Sequence, residues 1–162
     1  MDKPSISALI PTYNCAKYIA KSIDSVLAQT YPAAEILIVN DGSTDDTPNV
    51  VSAYADPRLR YIEIPHAGIA AARNKGIEDA SSDYLAFLDA DDLWRPAMLE
   101  KHVAVMDHDR SLVCSFSNFN RFADETGETL SEQFVYYPEL ATLPVLEAGS
   151  CGALVVKGDA FA

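Results

Sequence analysis

Three carboxylates crowd into the segment Asp89-Ala90-Asp91-Asp92, directly after the apolar residues 84–88 and before Leu93-Trp94. Unit charges ~4 Å apart interact by roughly 4 kcal/mol at an effective dielectric of 20. Carboxylates gathered at the end of a buried strand therefore call for a cation to offset them. A charged run on an ordinary surface is simply solvated; it is the position of this one that changes the reading. Oxygen-only ligands with few protein contacts suit Mg²⁺ or Mn²⁺, which keep several waters and bridge phosphate oxygens. The run is accordingly read as a metal–diphosphate site.

Two further polar clusters follow apolar runs in the same way, Pro11-Thr12-Tyr13-Asn14 and Asn40-Asp41-Gly42. An Asp-Gly pair commonly marks nothing more than a turn. A carboxylate at a strand end can equally accept hydrogen bonds from a base N–H or a ribose hydroxyl. Tyr13 could stack on a base, a contact worth ~1–3 kcal/mol in other nucleotide sites, or could cover the sheet edge; the residues alone leave both open. Arg73, within Ala70-Ala71-Ala72-Arg73-Asn74, has guanidinium geometry suited to phosphate oxygens. Asn74 could serve the backbone instead. His66, in the turn Pro65-His66-Ala67-Gly68, could approach a ligand, although a lone loop histidine is more often only solvated. His102 and His108 are placed on a surface-type helix and given no role.

The elements that must position these groups alternate along the chain. Strands are expected at residues 6–10, 36–39, 59–64, 84–88, 112–116 and 153–156, and helices at 16–30, 68–80 and 95–107. A further helix starts near residue 44, capped by Ser43 or Thr44, with Asp45 and Asp46 in its first turn favoured by the dipole. In the helix at 16–30, Ile19, Ile23, Val26 and Leu27 share one face, and Pro32 blocks its continuation. The segment 36–39 is almost wholly apolar, as a parallel strand covered on both faces should be. Residues 118–132 are expected to form a loop or hairpin, and 139–147 a weak helix. Such alternation implies an α/β layered domain with a mainly parallel sheet. Ligands bind such sheets beyond the carboxyl ends of the strands. The clusters at 11–14, 40–42 and 89–92 should therefore converge on one edge.

Composition narrows the partners. The 162 residues, 49% hydrophobic and 22% charged, suit one globular domain. With 12 basic against 24 acidic residues the net charge is −12. That disfavours a nucleic-acid partner and a polybasic membrane patch. Cys15, Cys114 and Cys151 form no CxxC pair, so neither a zinc knuckle nor a disulfide framework is indicated. No apolar run approaches the ~20 residues that span a bilayer, and no secretory hydrophobic region opens the chain. The expected location is cytoplasmic, with peripheral attachment at the inner membrane face left open.

Four segments, Ile10-Pro11-Thr12-Tyr13-Asn14, residues 39–45 (Val-Asn-Asp-Gly-Ser-Thr-Asp), residues 68–74 (Gly-Ile-Ala-Ala-Ala-Arg-Asn) and residues 87–92 (Phe-Leu-Asp-Ala-Asp-Asp), resemble in order and spacing the family-2 glycosyltransferases. Each is weak alone and strong in company. The resemblance covers about the first two-thirds of the chain. It implies a GT-A fold, an α/β/α layered sandwich with a mainly parallel central sheet. It also implies a nucleotide-diphospho-sugar donor, with UDP as the usual carrier. By motif position the donor-binding residues are Pro11, Thr12, Tyr13, Asn14, Asp41, Gly42, Arg73, Asp89 and Ala90. Asp89-Ala90-Asp91 is the DXD motif, with Asp91 and Asp89 as ligands for Mg²⁺ or Mn²⁺. The implied reaction is one inverting displacement at the anomeric carbon onto a saccharide or lipid-linked acceptor.

The family's carboxylate base follows a strand like that at 153–156, whereas the chain ends at Phe161-Ala162. A single donor-binding domain over 1–162, truncated at its C-terminus and lacking the base, is therefore expected, with slow or no sugar transfer. Apolar surface bared by a missing part would promote self-association into homo-oligomers. A non-catalytic nucleotide-binding module on the same fold is the alternative. A Rossmann oxidoreductase or methyltransferase is disfavoured, because the turn after the first strand has no glycine.

Overall fold

In the computed structural model, residues 3–117, 119–124, 126–133 and 154–157 are described. The first strand, β1 (Ile6–Thr12), is buried at all seven positions. It lies between β2 (Glu35–Asn40) and β4 (Tyr84–Phe87), pairing in parallel with both. Beyond β2, β3 (Leu59–Glu63) continues the parallel set. On the other side β8 (Leu154–Lys157) pairs antiparallel with both β4 and β5 (Cys114–Phe116), closing the order β3-β2-β1-β4-β8-β5. A separate two-stranded ribbon joins β6 (Phe119–Phe122) to β7 (Thr129–Gln133), with an irregularity between Arg121 and Phe122. The stretch read as a loop or hairpin is thus a hairpin. The segment 139–147, read as a helix, lies outside the described residues.

Alternation along β1 and β2 sends side chains to two cores. Ile6, Ala8, Ile10, Ile36 and Ile38 pack with α1 (Ile19–Leu27) and α4 (Met98–His108). Leu9, Leu37 and Val39 pack on the other face with Ala72 of α3 (Ile69–Asp79). Helices on both faces of a mainly parallel sheet make the expected α/β/α sandwich. Each fully buried aliphatic side chain contributes ~1.5–3 kcal/mol. Gly76 lets α3 sit close to the sheet, since a Cβ there would fall 2.2 Å from Leu9 Cδ1.

Two local expectations are corrected. Neither Ser43 nor Thr44 caps the helix α2 (Thr47–Ser52), which begins later than expected. Ser43 is engaged by Asn40 Oδ1, and the Thr44 N–H donates to Asn14 Oδ1 at 2.8 Å. The N-cap position falls on Asp46, which makes no side-chain cap bond, and Asp45 before it accepts through Oδ1 from Thr47 N at 3.0 Å and Thr47 Oγ1 at 2.6 Å. His102 is not on a surface: it is fully buried on the inner stripe of α4 with Met98, Leu99, Val103 and Met106. Its Nδ1 lies 2.7 Å from Ser115 Oγ on β5. Burial pushes the imidazole pKa down from 6.5 to about 4.

Candidate functional site

The ends of β1, β2 and β4 open onto one edge, where a cavity of about 290 Å³ is lined by Pro11, Thr12, Tyr13, Asp41, Asp89, Ala90 and Asp91. The three clusters do converge, through parallel pairing that brings Thr12 level with Asn40 and Leu9 with Phe87. Cys15, His66, Gly68, Ile69 and Ala72 complete the lining.

Asp41 is only 2% exposed and its carboxylate is tied down. Oδ1 accepts from Ala67 N at 2.7 Å and Oδ2 from Gly68 N at 2.9 Å. Burial pushes this carboxyl up, but the two backbone N–H groups and His66 hold it below the usual range. His66 Nδ1 lies 2.8 Å from Asp41 Oδ2. The imidazole stacks on Tyr13, with centroids 4.2 Å apart and planes 18° from parallel. Gly42, at φ +67°, presses against the His66 backbone, so that a Cβ would meet His66 N at 3.0 Å. Tyr13, still 43% exposed, therefore belongs to a pair whose second member had no assigned role. What the motif pattern lacked was the return of the turn after β3 to the tip of β2.

Asn14 and Gly42, expected to bind the donor, are not among the residues that line the cavity. Asn14, at φ +50°, accepts through Oδ1 from Thr44 N, and its own N–H donates to Ser43 Oγ at 2.9 Å. It fastens the turn after β1 to the turn after β2.

The acidic turn is held from beneath by α1. Ser22 Oγ lies 2.7 Å from the carbonyl oxygens of both Ala90 and Asp92, and Ser25 Oγ accepts from Trp94 N at 3.1 Å. These serines, three apart on the helix, were missed because their partners lie about 70 residues away. Arg73 Nη2 reaches Asp89 Oδ1 at 2.7 Å. An arginine therefore offsets part of the negative charge that was taken to demand a cation. Arg73 itself does not line the cavity; its Nε is buried without a hydrogen-bond partner among the described residues.

No group of three or more His, Cys, Asp or Glu side chains forms a ready cation cage among the described residues. Asp91, with Asp89 beside it, offers few carboxylates. That matches Mg²⁺ or Mn²⁺, whose remaining positions go to water and phosphate.

Asp91 also faces a second cavity, of about 440 Å³, between α1 and the hairpin, lined by Tyr18, Lys21, Asn120, Arg121, Phe122 and Asp124 among others. Lys17 Nζ and Lys21 Nζ reach Asp124 at 2.6 and 3.1 Å, pinning the hairpin to the start of α1.

Residues 7–151 match the model of "Glycosyl transferase family 2". Among curated proteins, TuaG of Bacillus subtilis, a glycosyltransferase named for teichuronic acid biosynthesis, is 38% identical over 97% of this chain and 63% of its own length. The crystal structure of S. aureus TarS 1-349 in complex with UDP-GlcNAc superposes with a TM-score of 0.65 at 26% identity, covering 76% of this chain and 36% of that one. The mannosyltransferase PcManGT from Pyrobaculum calidifontis, in complex with GDP-Man and Mn²⁺, gives 0.64 at 27% identity, covering 78% and 38%. The chain thus spans under two-thirds of each of these proteins.

Proposed function

Because this chain belongs to glycosyl transferase family 2 and has the GT-A fold of its structural neighbours, we propose that it binds a nucleotide-diphospho-sugar, UDP-linked, and presents the sugar for inverting transfer to a saccharide or lipid-linked hydroxyl. The observation that carries this reading is the meeting of Tyr13, Asp41, Asp89 and Asp91 in one cavity at the strand tips, with Arg73 on Asp89.

The Tyr13–His66 stack is a flat aromatic surface against which a base can lie. Asp41, held ionised, fixes that surface through His66 and the turn after β3. Arg73 supplies charge-assisted donors to the diphosphate, most valuable as negative charge builds on it in the transition state. Asp91, with Asp89, would hold Mg²⁺ or Mn²⁺, which when bound adds Lewis-acid stabilisation of the same departing charge. In the displacement the acceptor oxygen forms a bond to the anomeric carbon as the bond from that carbon to the diphosphate oxygen breaks. The hydroxyl proton passes to a base.

Thermal shifts with UDP-, GDP- and dTDP-sugars, each with and without Mn²⁺, test this. A bound donor at ~100 times its dissociation constant should add about 2.7 kcal/mol of stability. UDP-sugars with Mn²⁺ should give the largest shift, and no shift with any donor would refute the reading.

A further inference from the structure

Ser22 is the polar member of an otherwise aliphatic buried stripe on α1, beside Ile19, Ile23 and Val26. A serine inside a helix ordinarily turns its hydroxyl back onto the carbonyl three or four residues earlier. Ser25 does so, donating to the Ser22 carbonyl at 2.7 Å. Ser22, fully buried, instead reaches out of the helix to the carbonyl oxygens of Ala90 and Asp92, both at 2.7 Å. One hydroxyl proton is shared between the two acceptors. The seam continues along α1: Ser25 Oγ accepts from Trp94 N, and Gln29 holds Arg95 O at 2.8 Å and Leu99 N at 3.0 Å.

The two carbonyls that Ser22 takes bracket Asp91. The peptide unit before Asp91 is tied through Ala90 O, and the one after it through the bond from Asp92 N to Asp89 O at 3.0 Å. The next unit is tied through Asp92 O. With its flanking peptide planes held, Asp91 has little freedom in φ and ψ, and the direction of its Cα–Cβ bond is set. Ala90 is buried while Asp91 is exposed, at the boundary where the two cavities meet. Neither Ser22 nor Ser25 lines either cavity, so any effect they have on a ligand there passes through the turn.

We propose that Ser22 is a positioning residue: by clamping the carbonyls on both sides of Asp91 it aims that carboxylate at the divalent cation bound with the diphosphate, and Ser25 is a weaker second clamp. The proposal deepens the donor reading and rests on it. A cation with few protein ligands depends on the aim of each one, so a partner that orients its carboxylate carries a share of the metal affinity.

The experiment compares the chain with its Ser22→Ala, Ser25→Ala and Ile23→Val variants. Ile23→Val trims the same buried stripe but removes no hydrogen bond, and circular dichroism checks that each fold survives. UDP is titrated by calorimetry without metal and with Mn²⁺, and Mn²⁺ binding in the presence of UDP is followed by electron paramagnetic resonance. Metal-free UDP affinity should stay within about twofold throughout. Mn²⁺ affinity should fall roughly tenfold or more in Ser22→Ala, less in Ser25→Ala, and not in Ile23→Val. Should Ser22→Ala fail to fold, Ser22→Cys fills the space with only a weak donor and should shift Mn²⁺ affinity in the same direction. Unchanged Mn²⁺ affinity in a folded Ser22 variant, or an equal loss in Ile23→Val, overturns the proposal while the donor reading stands. A wild-type chain that binds no UDP, or binds it indifferently to Mn²⁺, would instead strike the reading on which the proposal rests.

Discussion

The two cavities that meet at Asp91 rest on different foundations. The nucleotide cavity stands on the tips of β1, β2 and β4, and β1 and β2 are buried along their whole length. Its key carboxylate is gripped by backbone N–H groups. The hairpin cavity hangs from a two-stranded ribbon, an element only marginally stable by itself. That ribbon is fastened to α1 by ion pairs whose lysine side chains are 68% and 58% exposed. Exposed pairs of this kind contribute ~0–1 kcal/mol. The strand-tip cavity thus inherits the positional precision of a packed core, whereas the hairpin wall can change its residues or its spacing at little cost to the fold.

The sharpest way to break the comparison is Arg73→Ala. Under the proposed donor reading it removes a cation meant for the diphosphate and leaves Asp89 unpaired, so UDP affinity should fall on the order of a hundred- to a thousandfold. Thermal stability should hardly move, because the Arg73–Asp89 pair is 39% and 41% exposed. Calorimetry beside a melting curve separates the two effects, and unaltered affinity would remove Arg73 from the site.

Next in size is an effect on the antiparallel side of the sheet. The His102 pKa is lowered from 6.5 to about 4 by burial, so the folded chain resists a proton that the unfolded chain accepts. Its contribution is complete above pH 6.5. It declines as pH falls from there to about 4, by on the order of 3 kcal/mol, and then levels off. Asp41, whose carboxyl is lowered, acts in a separate window: its contribution is lost only as pH falls below the ordinary carboxylate range. Denaturant melts between pH 7 and 4.5 should therefore show a slope that His102→Gln abolishes. An unchanged slope would mean that the imidazole is not the group responsible.

Asp41→Asn comes third. The variant keeps the shape but loses the charge that holds His66 and one acceptor for the paired backbone N–H groups. It should cost about 1–2 kcal/mol of stability and weaken UDP further by loosening the Tyr13–His66 stack. If the melting temperature held while UDP weakened, Asp41 would contact the base directly rather than through His66.

These differences explain what could be read in the sequence. Parallel strands buried on both faces appear as unbroken apolar runs, so β1, β2 and β4 and the polar clusters after them were legible, as was their convergence. The later start of α2 was hidden because Asn14, about thirty residues earlier, takes the N–H groups of Thr44 and Asp45. His102 reads as polar, although its place four residues after Met98 and one before Val103 puts it on the buried stripe. The pairing of Tyr13 with His66 and of Ser22 with Ala90 joins residues that no local period relates. Least legible was the hairpin cavity, whose closure depends on Lys21 finding Asp124 across 103 residues.

The smallest predicted effect bears most directly on that cavity. Asp124→Asn removes the shared anion but preserves size, so both lysines lose their partner. If the hairpin is fastened only by these exposed pairs, stability should fall by at most about 1 kcal/mol, or a melting shift of roughly 2–4 °C for a chain of this size. The difference should vanish in 1 M salt, where the screening length is ~3 Å. UDP affinity should be untouched, because neither lysine lines the nucleotide cavity. A loss above about 2 kcal/mol that survived high salt would make Asp124 part of the packed framework. The two walls around Asp91 would then be equally rigid.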